Sequence, residues 1–228
     1  MDLKIGSTSV SKMYKGSVEI TKGYLGSSLI YSSSAPATAL TDANFFTARD
    51  LWFTDQAQAE DTYGLIEDWN TTAVTNMRNA FAYAGVVTNT FNEDISSWDI
   101  GNVTNFNTMF YRSSAFNQPI GIWDTGSAAT MYGMMWKASS FNQNISSWDI
   151  GLVTNVFRIV KNTSFITSNY DSLLIGWEAT LQLAYPSGTG SPNLVLDSGS
   201  VQYTSAATTA RESLINNFGT TITDGGLV

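Results

Sequence analysis

Apolar residues recur through the middle of the chain with a period of 25 residues. Four residue types keep their spacing through three successive copies: Phe91, Phe116 and Phe141; Ile95, Ile120 and Ile145; Trp98, Trp123 and Trp148; Asp99, Asp124 and Asp149. A looser copy around Ile66 comes first, an insertion at residues 84–90 follows it, and the series closes at Phe165. This period lies within the range of leucine-rich-type repeats.

Each copy combines two patterns that predict different elements. In "DISSW" the spacing of Ile95 and Trp98 predicts a short strand, "DIGN" predicts a turn, and the apolar positions of "VTNFNTMF" predict a short helix or helical turn. One copy cannot bury its own Trp and Phe, so the copies are expected to stack with like residues in ladders. The predicted fold is an α/β repeat solenoid, leucine-rich-like, with short parallel strands and short helices. Its core ladder is expected to comprise Ile95, Trp98, Phe116, Ile120, Trp123, Phe141, Ile145 and Trp148.

The two ends of the chain have other patterns. Gly-Ser pairs at residues 6–7, 16–17 and 26–27 alternate with apolar positions and predict three short β-strands joined by tight turns, which bury too little to be stable without a partner. Near the C-terminus, a first helix is predicted by the spacing of Leu173, Leu174, Trp177 and Leu181, with Ser168 or Asn169 as its N-cap. A second helix, predicted by Ala210, Leu214 and Phe218, stops at Gly219. Between the two helices, "PNLVLDSG" predicts a strand. The expected domains are a β module at 1–31, a linker at 32–40, the repeats with their lead-in at 41–165, and a helical cap at 166–228.

Composition narrows the chemistry. The formal net charge of −8 argues against nucleic acid as a partner, because nucleic-acid binding needs clustered Lys and Arg. Without Cys or His, the chain has no thiol nucleophile, no imidazole base and no Zn site of the Cys/His type. The N-terminal "MDLKIGSTSVSK" lacks the pattern of a signal peptide, and no apolar run predicts membrane insertion.

The repeated polar residues admit structural and functional interpretations. Asp99, Asp124 and Asp149 could form a carboxylate ladder for a hard cation such as Ca²⁺, but capping of the following turn is favoured because it needs no metal. Asn92, Asn117 and Asn142 are expected to form an internal hydrogen-bond ladder. The sequence leaves the cation question open.

Candidate catalytic residues are sparse. Glu93 and Asp94 are the only adjacent carboxylates in the repeats that invite comparison with a glycosidase. Neighbouring residues of a strand point to opposite faces, so these two cannot flank one bond. No catalytic, cofactor or metal site is predicted, and the protein is expected not to be an enzyme. Tyr111 and Trp136 are aromatic residues that the repeat does not require and are the candidates for surface contact.

A resemblance to a known family rests on the repeat itself. "FNEDISSWDIGNVTNFNTMFYRSSA" and "FNQNISSWDIGLVTN" resemble the BspA-like repeat of bacterial surface proteins over about residues 64–165. "TARDLWFTD" is similar to the lead-in of that family, and residues 169–182 and 210–226 are similar to its C-terminal cap. The resemblance implies an extracellular recognition or adhesion module without enzymatic activity.

A second resemblance concerns the N-terminus. "KMYKGSVEITKGYLGSSLIYS" resembles a short N-terminal module of bacteriophage fibre and tail-associated virion proteins. It implies a virion protein that residues 1–31 attach to other virion proteins, with Tyr14, Tyr24 and Tyr31 as candidate attachment residues. The repeats would project outward to bind a host cell-surface glycan or protein, from a fibre, tail or capsid-decorating position. A homotrimer would support the small N-terminal module. The alternative is a bacterial cell-surface adhesin of the same repeat family.

Overall fold

The structure is a computed structural model. The residues that it describes are those of six short strands within residues 3–32, and residues 38–82 and 90–228. The N-terminal strands form three antiparallel hairpins: β1 (Leu3–Ile5) with β2 (Thr8–Val10), β3 (Met13–Lys15) with β4 (Val18–Ile20), and β5 (Lys22–Leu25) with β6 (Ser28–Ser32). The prediction of three strands is therefore wrong in number, because each ten-residue unit supplies two strands that pair with each other. The Gly-Ser pairs predicted as tight turns lie outside the described residues, as does the predicted insertion apart from Thr90.

The lead-in to the repeats begins within the predicted linker. Leu40 is buried, and its backbone N–H donates to the carbonyl of Asn70 at 3.1 Å. Two helices follow, α1 (Phe45–Thr54) and α2 (Gln56–Tyr63). Asp55 caps α2 by accepting a hydrogen bond from the N–H of Gln58 at 3.1 Å. The helices bury Phe45, Ala48, Trp52, Ala59 and Tyr63. The rings of Trp52 and Tyr63 contact Trp69 of the first copy, and that of Phe45 contacts Trp98 of the second.

Within each copy the backbone forms a series of turns. At "DISSW" the N–H of Trp98 donates to the carbonyl of Ile95 at 3.2 Å, so this segment turns where the sequence predicts a strand. "VTNFNTMF" also forms turns, because Thr108 and Arg112 adopt left-handed backbone conformations, with φ of 54° and 62°. A left-handed residue at every fourth position is incompatible with a continuous right-handed helix. The equivalent third-copy residues, Gly133 and Lys137, have φ of 56° and 64°.

These turns leave alternate N–H groups free to join one copy to the next. In the second copy four N–H groups donate to carbonyls of the third copy at 2.8 to 3.0 Å: Phe106 to Thr130, Thr108 to Tyr132, Phe110 to Met134, and Arg112 to Trp136. The intervening N–H groups of Met109 and Tyr111 close turns within the copy instead, each at 3.1 Å. The third copy repeats the arrangement toward the fourth. Successive copies are therefore joined by a regular, parallel set of hydrogen bonds.

Buried side chains form ladders along the same direction. All eight residues of the expected core ladder are buried, none more than 4% exposed. The rings of Phe91, Phe116, Phe141 and Phe165 lie nearly parallel, with successive centroids 5.9, 6.3 and 6.4 Å apart. Each repeated tryptophan donates its indole N–H to an isoleucine carbonyl of the preceding copy: Trp98 to Ile66, Trp123 to Ile95, and Trp148 to Ile120. A buried indole N–H needs an acceptor, so the tryptophans join the copies as well as fill the core.

The expected asparagine ladder is confirmed. The side-chain oxygen of Asn92 accepts the N–H of Asn117 at 2.8 Å, and that of Asn117 accepts the N–H of Asn142 at 2.8 Å. The Asn142 oxygen in turn accepts the N–H of Ile166 at 3.0 Å. The ladder thus runs from the second copy to the C-terminal cap.

Two side chains complete the hydrogen bonds of the first copy. In the second copy the N–H of Thr104 donates to the carbonyl of Thr75 in the first copy. The equivalent N–H of the first copy, that of Thr75, donates instead to the carboxylate of Asp42 at 2.8 Å. The same carboxylate accepts the N–H of Asn76 at 3.1 Å. On the acceptor side, the guanidinium of Arg49 donates to the carbonyl of Ala80 at 2.7 Å. Asp42 and Arg49 therefore take the place of a missing copy.

We expect Asp42→Ala to lower the free energy of unfolding by about 1 kcal/mol at neutral pH, because charged capping hydrogen bonds are lost. Partial burial raises the pKa of Asp42, but the hydrogen bonds donated by Thr75 and Asn76 outweigh it and lower the pKa below the ordinary value. A lowered pKa contributes stability above the ordinary pKa of an aspartate and loses it as the pH falls through the folded-state pKa. Urea unfolding at pH 7 and near pH 2.5 should therefore show a smaller difference between the two proteins at the lower pH; a constant difference would contradict this role.

The C-terminal region combines two helices and a small parallel sheet. Helix α3 (Thr167–Ala184) buries Tyr170, Leu173, Leu174, Trp177 and Leu181. Helix α4 (Thr208–Asn216) precedes Gly219, whose φ is 66°. The strand predicted at "PNLVLDSG" is β7 (Val195–Asp197), which pairs in parallel with β8 (Thr221–Thr223).

The predicted N-cap of α3 is wrong. Ser168 and Asn169 lie inside the helix, whose N-cap position is held by Ile166. The side-chain amide of Asn169 donates instead to the backbone carbonyl of Asn142 at 2.8 Å, which attaches the helix to the asparagine ladder. Of the helices in the described ranges, none has the length and apolar character needed to cross a bilayer.

Candidate functional site

The structure brings the two predicted contact residues together. Tyr111 and Trp136 occupy equivalent positions in successive copies, and their ring centroids are 4.8 Å apart with an interplanar angle of 41°. Both side chains are only partly buried. Tyr132 of the third copy and Phe157 of the fourth form a second stacked pair of aromatic rings, with centroids 6.0 Å apart. Partly exposed rings thus follow one another from copy to copy on this surface.

Cationic side chains lie over these rings. The guanidinium of Arg158 is 4.5 Å from the ring centroid of Trp136 and 4.7 Å from that of Phe157. Lys137 Nζ is 5.3 Å from the Trp136 ring, and the Arg112 guanidinium is 5.2 Å from that of Tyr111. Such contacts hold flexible cations in place. We call the surface formed by Tyr111, Arg112, Tyr132, Trp136, Lys137, Phe157 and Arg158 the aromatic-basic face.

The backbone explains why this surface recurs. Each of its segments carries the left-handed residues that interrupt a helix: Thr108 and Arg112, then Gly133 and Lys137, then Arg158 and Asn162. Because alternate N–H groups bond to the next copy, equivalent side chains are held side by side. A side chain placed at one of these positions therefore has a neighbour of the same ladder in each adjacent copy.

The charge of the face differs from that of the whole chain. The three segments that carry it, residues 105–112, 130–137 and 155–162, together with the equivalent segment 76–82 of the first copy, contain five of the eleven Lys and Arg residues and none of the nineteen Asp and Glu residues. One acidic neighbour lies at the C-terminal end, where Asp197 accepts from Lys161 Nζ at 2.6 Å and lies 3.7 Å from Arg158 Nε. Within the described part of the chain, Arg112 and Lys137 form no ion pair. A local positive surface therefore exists on a protein of net negative charge.

Sequence reasoning missed most of this surface. It singled out Tyr111 and Trp136 but not their basic neighbours, nor Tyr132 and Phe157. The signal that could have found them is the 25-residue period applied to the positions outside the core, which aligns Tyr132 with Phe157 and Arg112 with Lys137.

The repeated aspartates serve the backbone. Asp99, Asp124 and Asp149 each accept the N–H of the glycine two residues later, at 3.2, 2.9 and 2.7 Å. These are Asx turns, the capping role favoured on sequence grounds. No cluster of three or more potential metal ligands is found in residues 38–82 and 90–228.

The adjacent carboxylates Glu93 and Asp94 are both exposed. Hydrogen bonding by Ser96 lowers the pKa of Asp94. A general acid of a glycosidase needs a raised pKa, so Asp94 does not fit that role.

The candidate attachment residues lie in the N-terminal hairpins. Tyr14 belongs to β3, Tyr24 to β5 and Tyr31 to β6. Their side chains are outside the described part of the structure.

These features define a class of repeat protein in which 25-residue copies are hydrogen-bonded in succession and present a repeated surface. The family described as "Mycoplasma protein of unknown function, DUF285" matches residues 51–173, and the chain belongs to it. This match confirms the resemblance of the repeats to BspA-like surface-protein repeats at the level of the family and does not include residues 1–31. No curated protein and no solved structure matches the chain.

Proposed function

We propose that this protein is a non-enzymatic recognition protein whose stacked copies form a solenoid and whose aromatic-basic face binds the surface of a host cell. The observation that carries the proposal is the face itself, because its partly exposed rings and cations are not needed to fill the core. Repetition from copy to copy favours an extended, multivalent ligand, for which each single contact can be weak.

We further propose that the protein is a structural component of a bacteriophage virion, attached through residues 1–31. Support comes from the resemblance of this segment to N-terminal modules of virion proteins and from its three small hairpins. Isolated two-stranded hairpins are marginally stable, so a docking partner or a trimeric assembly would stabilise them. The alternative is a bacterial surface adhesin, which the resemblance of the repeats to those of bacterial surface proteins supports.

Deletion of residues 1–31 is expected to abolish incorporation into virions while leaving the repeats folded, because every described core residue lies at Leu40 or later. Particles purified from lysates of the truncated and full-length proteins would be probed by immunogold microscopy with antibody to residues 40–228. Circular dichroism of the purified truncated protein controls for folding.

Gold label at one fixed position on particles carrying the full-length protein is the expected result. Truncated protein recovered on particles at the same level would overturn the attachment role. Label confined to cell envelopes would replace the virion assignment with the adhesin.

A further inference from the structure

The positive surface of this acidic protein is the feature that the proposed function leaves unspecified. Five of the protein's cations lie in four adjacent segments that hold no Asp or Glu, and Asp197 is the acidic neighbour of two of them, Arg158 and Lys161. At physiological salt, charges interact over about 8 Å, so a ligand on this face senses the local cations more than the net charge. Such a local field favours an anionic ligand.

The rings impose a second requirement on that ligand. Tyr111 with Trp136 and Tyr132 with Phe157 offer apolar ring surface in steps from one copy to the next. A sugar ring has an apolar face that packs on such side chains, while its carboxylate accepts hydrogen bonds from a guanidinium or ammonium. Arg112 and Lys137, which form no ion pair within the described residues, are the cations open to such a carboxylate, whereas Arg158 lies over Trp136 and Phe157 and is already 3.7 Å from Asp197.

We propose that the aromatic-basic face binds an acidic polysaccharide containing uronic acid residues, an inference that rests on the proposed recognition function. In such a polymer the uncharged faces of the sugar rings lie between the carboxylates. This arrangement matches a protein surface on which aromatic rings lie between the cations. Nucleic-acid binding depends on densely clustered Lys and Arg, whereas the cations of this face are spaced by aromatic rings. Nucleic acid is therefore an outcome of the test.

Two sets of variants separate the contributions of charge and rings. Arg112→Asn with Lys137→Asn copies the residue that the chain itself places at the same left-handed position of the next copy, Asn162. Asparagine tolerates left-handed backbone, so this double variant should fold as the parent does. Trp136→Ala copies Ala82, the equivalent residue of the first copy. The charge-matched control is Ile122→Glu with Leu183→Glu, at side chains that are 78% and 84% exposed and lie outside the face.

The probe is an oligomer of polygalacturonic acid, tested against the full chain by calorimetry at 0.15 M salt. The fully methyl-esterified oligomer keeps the sugar rings but lacks the carboxylate charge, and polyglutamate keeps the carboxylate charge but lacks sugar rings. We expect binding of the acidic oligomer alone, about tenfold weaker in Trp136→Ala and in the Arg112→Asn, Lys137→Asn variant, and unchanged in the control.

Several results would overturn the inference: equal binding of polyglutamate or of single-stranded DNA, equal binding of the esterified oligomer, no binding at all, or a loss in the control as large as in the face variants. The proposed virion role is tested separately, since the face variants should still be incorporated into particles. If the protein is incorporated into particles but does not bind the polysaccharide, the proposed ligand class is wrong and the virion assignment is unaffected.

Discussion

Replacing Gly176 by alanine should destabilise the protein by about 3 kcal/mol, the cost of forcing extra volume into a closely packed joint. Gly176 lies in α3, where the helix packs on the fourth copy, and a Cβ atom added there would be 2.2 Å from the carbonyl oxygen of Ser146. Alanine is favoured over glycine within a helix by about 1 kcal/mol, but the backbone clash is the larger effect. The cap would have to move away from the repeats to relieve it.

The matched control is Gly101→Ala. A Cβ atom at Gly101 would be 3.4 Å from Asp99 Oδ1 and 3.5 Å from Asp124 Oδ2, which are ordinary contacts with side-chain atoms. Urea unfolding followed by tryptophan fluorescence should place this variant within about 0.5 kcal/mol of the parent. A Gly176→Ala protein as stable as the Gly101→Ala protein would show that α3 does not approach the repeats this closely.

Phe116→Ala is expected to be the most damaging change in the aromatic ladder, lowering the free energy of unfolding by about 4 kcal/mol. The Phe116 ring is fully buried, and its centroid lies 3.9 Å from that of Phe110 in addition to its ladder neighbours Phe91 and Phe141. A cavity at this position loosens the copies on both sides, since each copy is stabilised chiefly by its neighbours.

Phe165→Ala provides the comparison at the end of the ladder. Its ring is 7% exposed and stacks on Phe141 alone among the ladder residues. Calorimetric or urea unfolding of both variants should show the smaller loss for Phe165, and Phe116→Leu should cost less than about 1.5 kcal/mol because most of the volume is kept. Equal losses at both positions would mean that the stacking of copies adds nothing to the burial of a single ring.

The buried ladders could be predicted from the sequence, whereas the backbone between them could not. Apolar residues at a constant interval identify the core because a stacked repeat must place like side chains together, and the Asn117 bridge follows from the same logic. Helical spacing of Phe106, Met109 and Phe110 suggested a helix, yet left-handed Thr108 breaks it. Non-glycine residues in that conformation leave little trace in composition. The solenoid as a whole stays a prediction.

The candidate site was found only in part for a related reason. Tyr111 and Trp136 stand out in the sequence because the core does not need them. Arg158 belongs to the face because it lies over two rings in different copies, which the sequence does not show. Likewise, Asp42 and Arg49 precede the repeats in the sequence and have no periodic partner, so their contacts with the first copy appear only in three dimensions.

Two sets of hydrogen bonds join the copies: N–H groups along residues 105–112 donate forward to carbonyls of the next copy, whereas the Thr104 N–H and the tryptophan indoles donate back to the copy before. An internal copy therefore presents to each neighbour the same kinds of donors and acceptors as any other internal copy. Duplicating residues 116–140 would lengthen the protein by one interchangeable unit without altering either end, and would add another Tyr132, Trp136 and Lys137 to the face. Length and valency can thus change together by unequal recombination within the gene, while the two ends, with their own capping side chains, stay fixed.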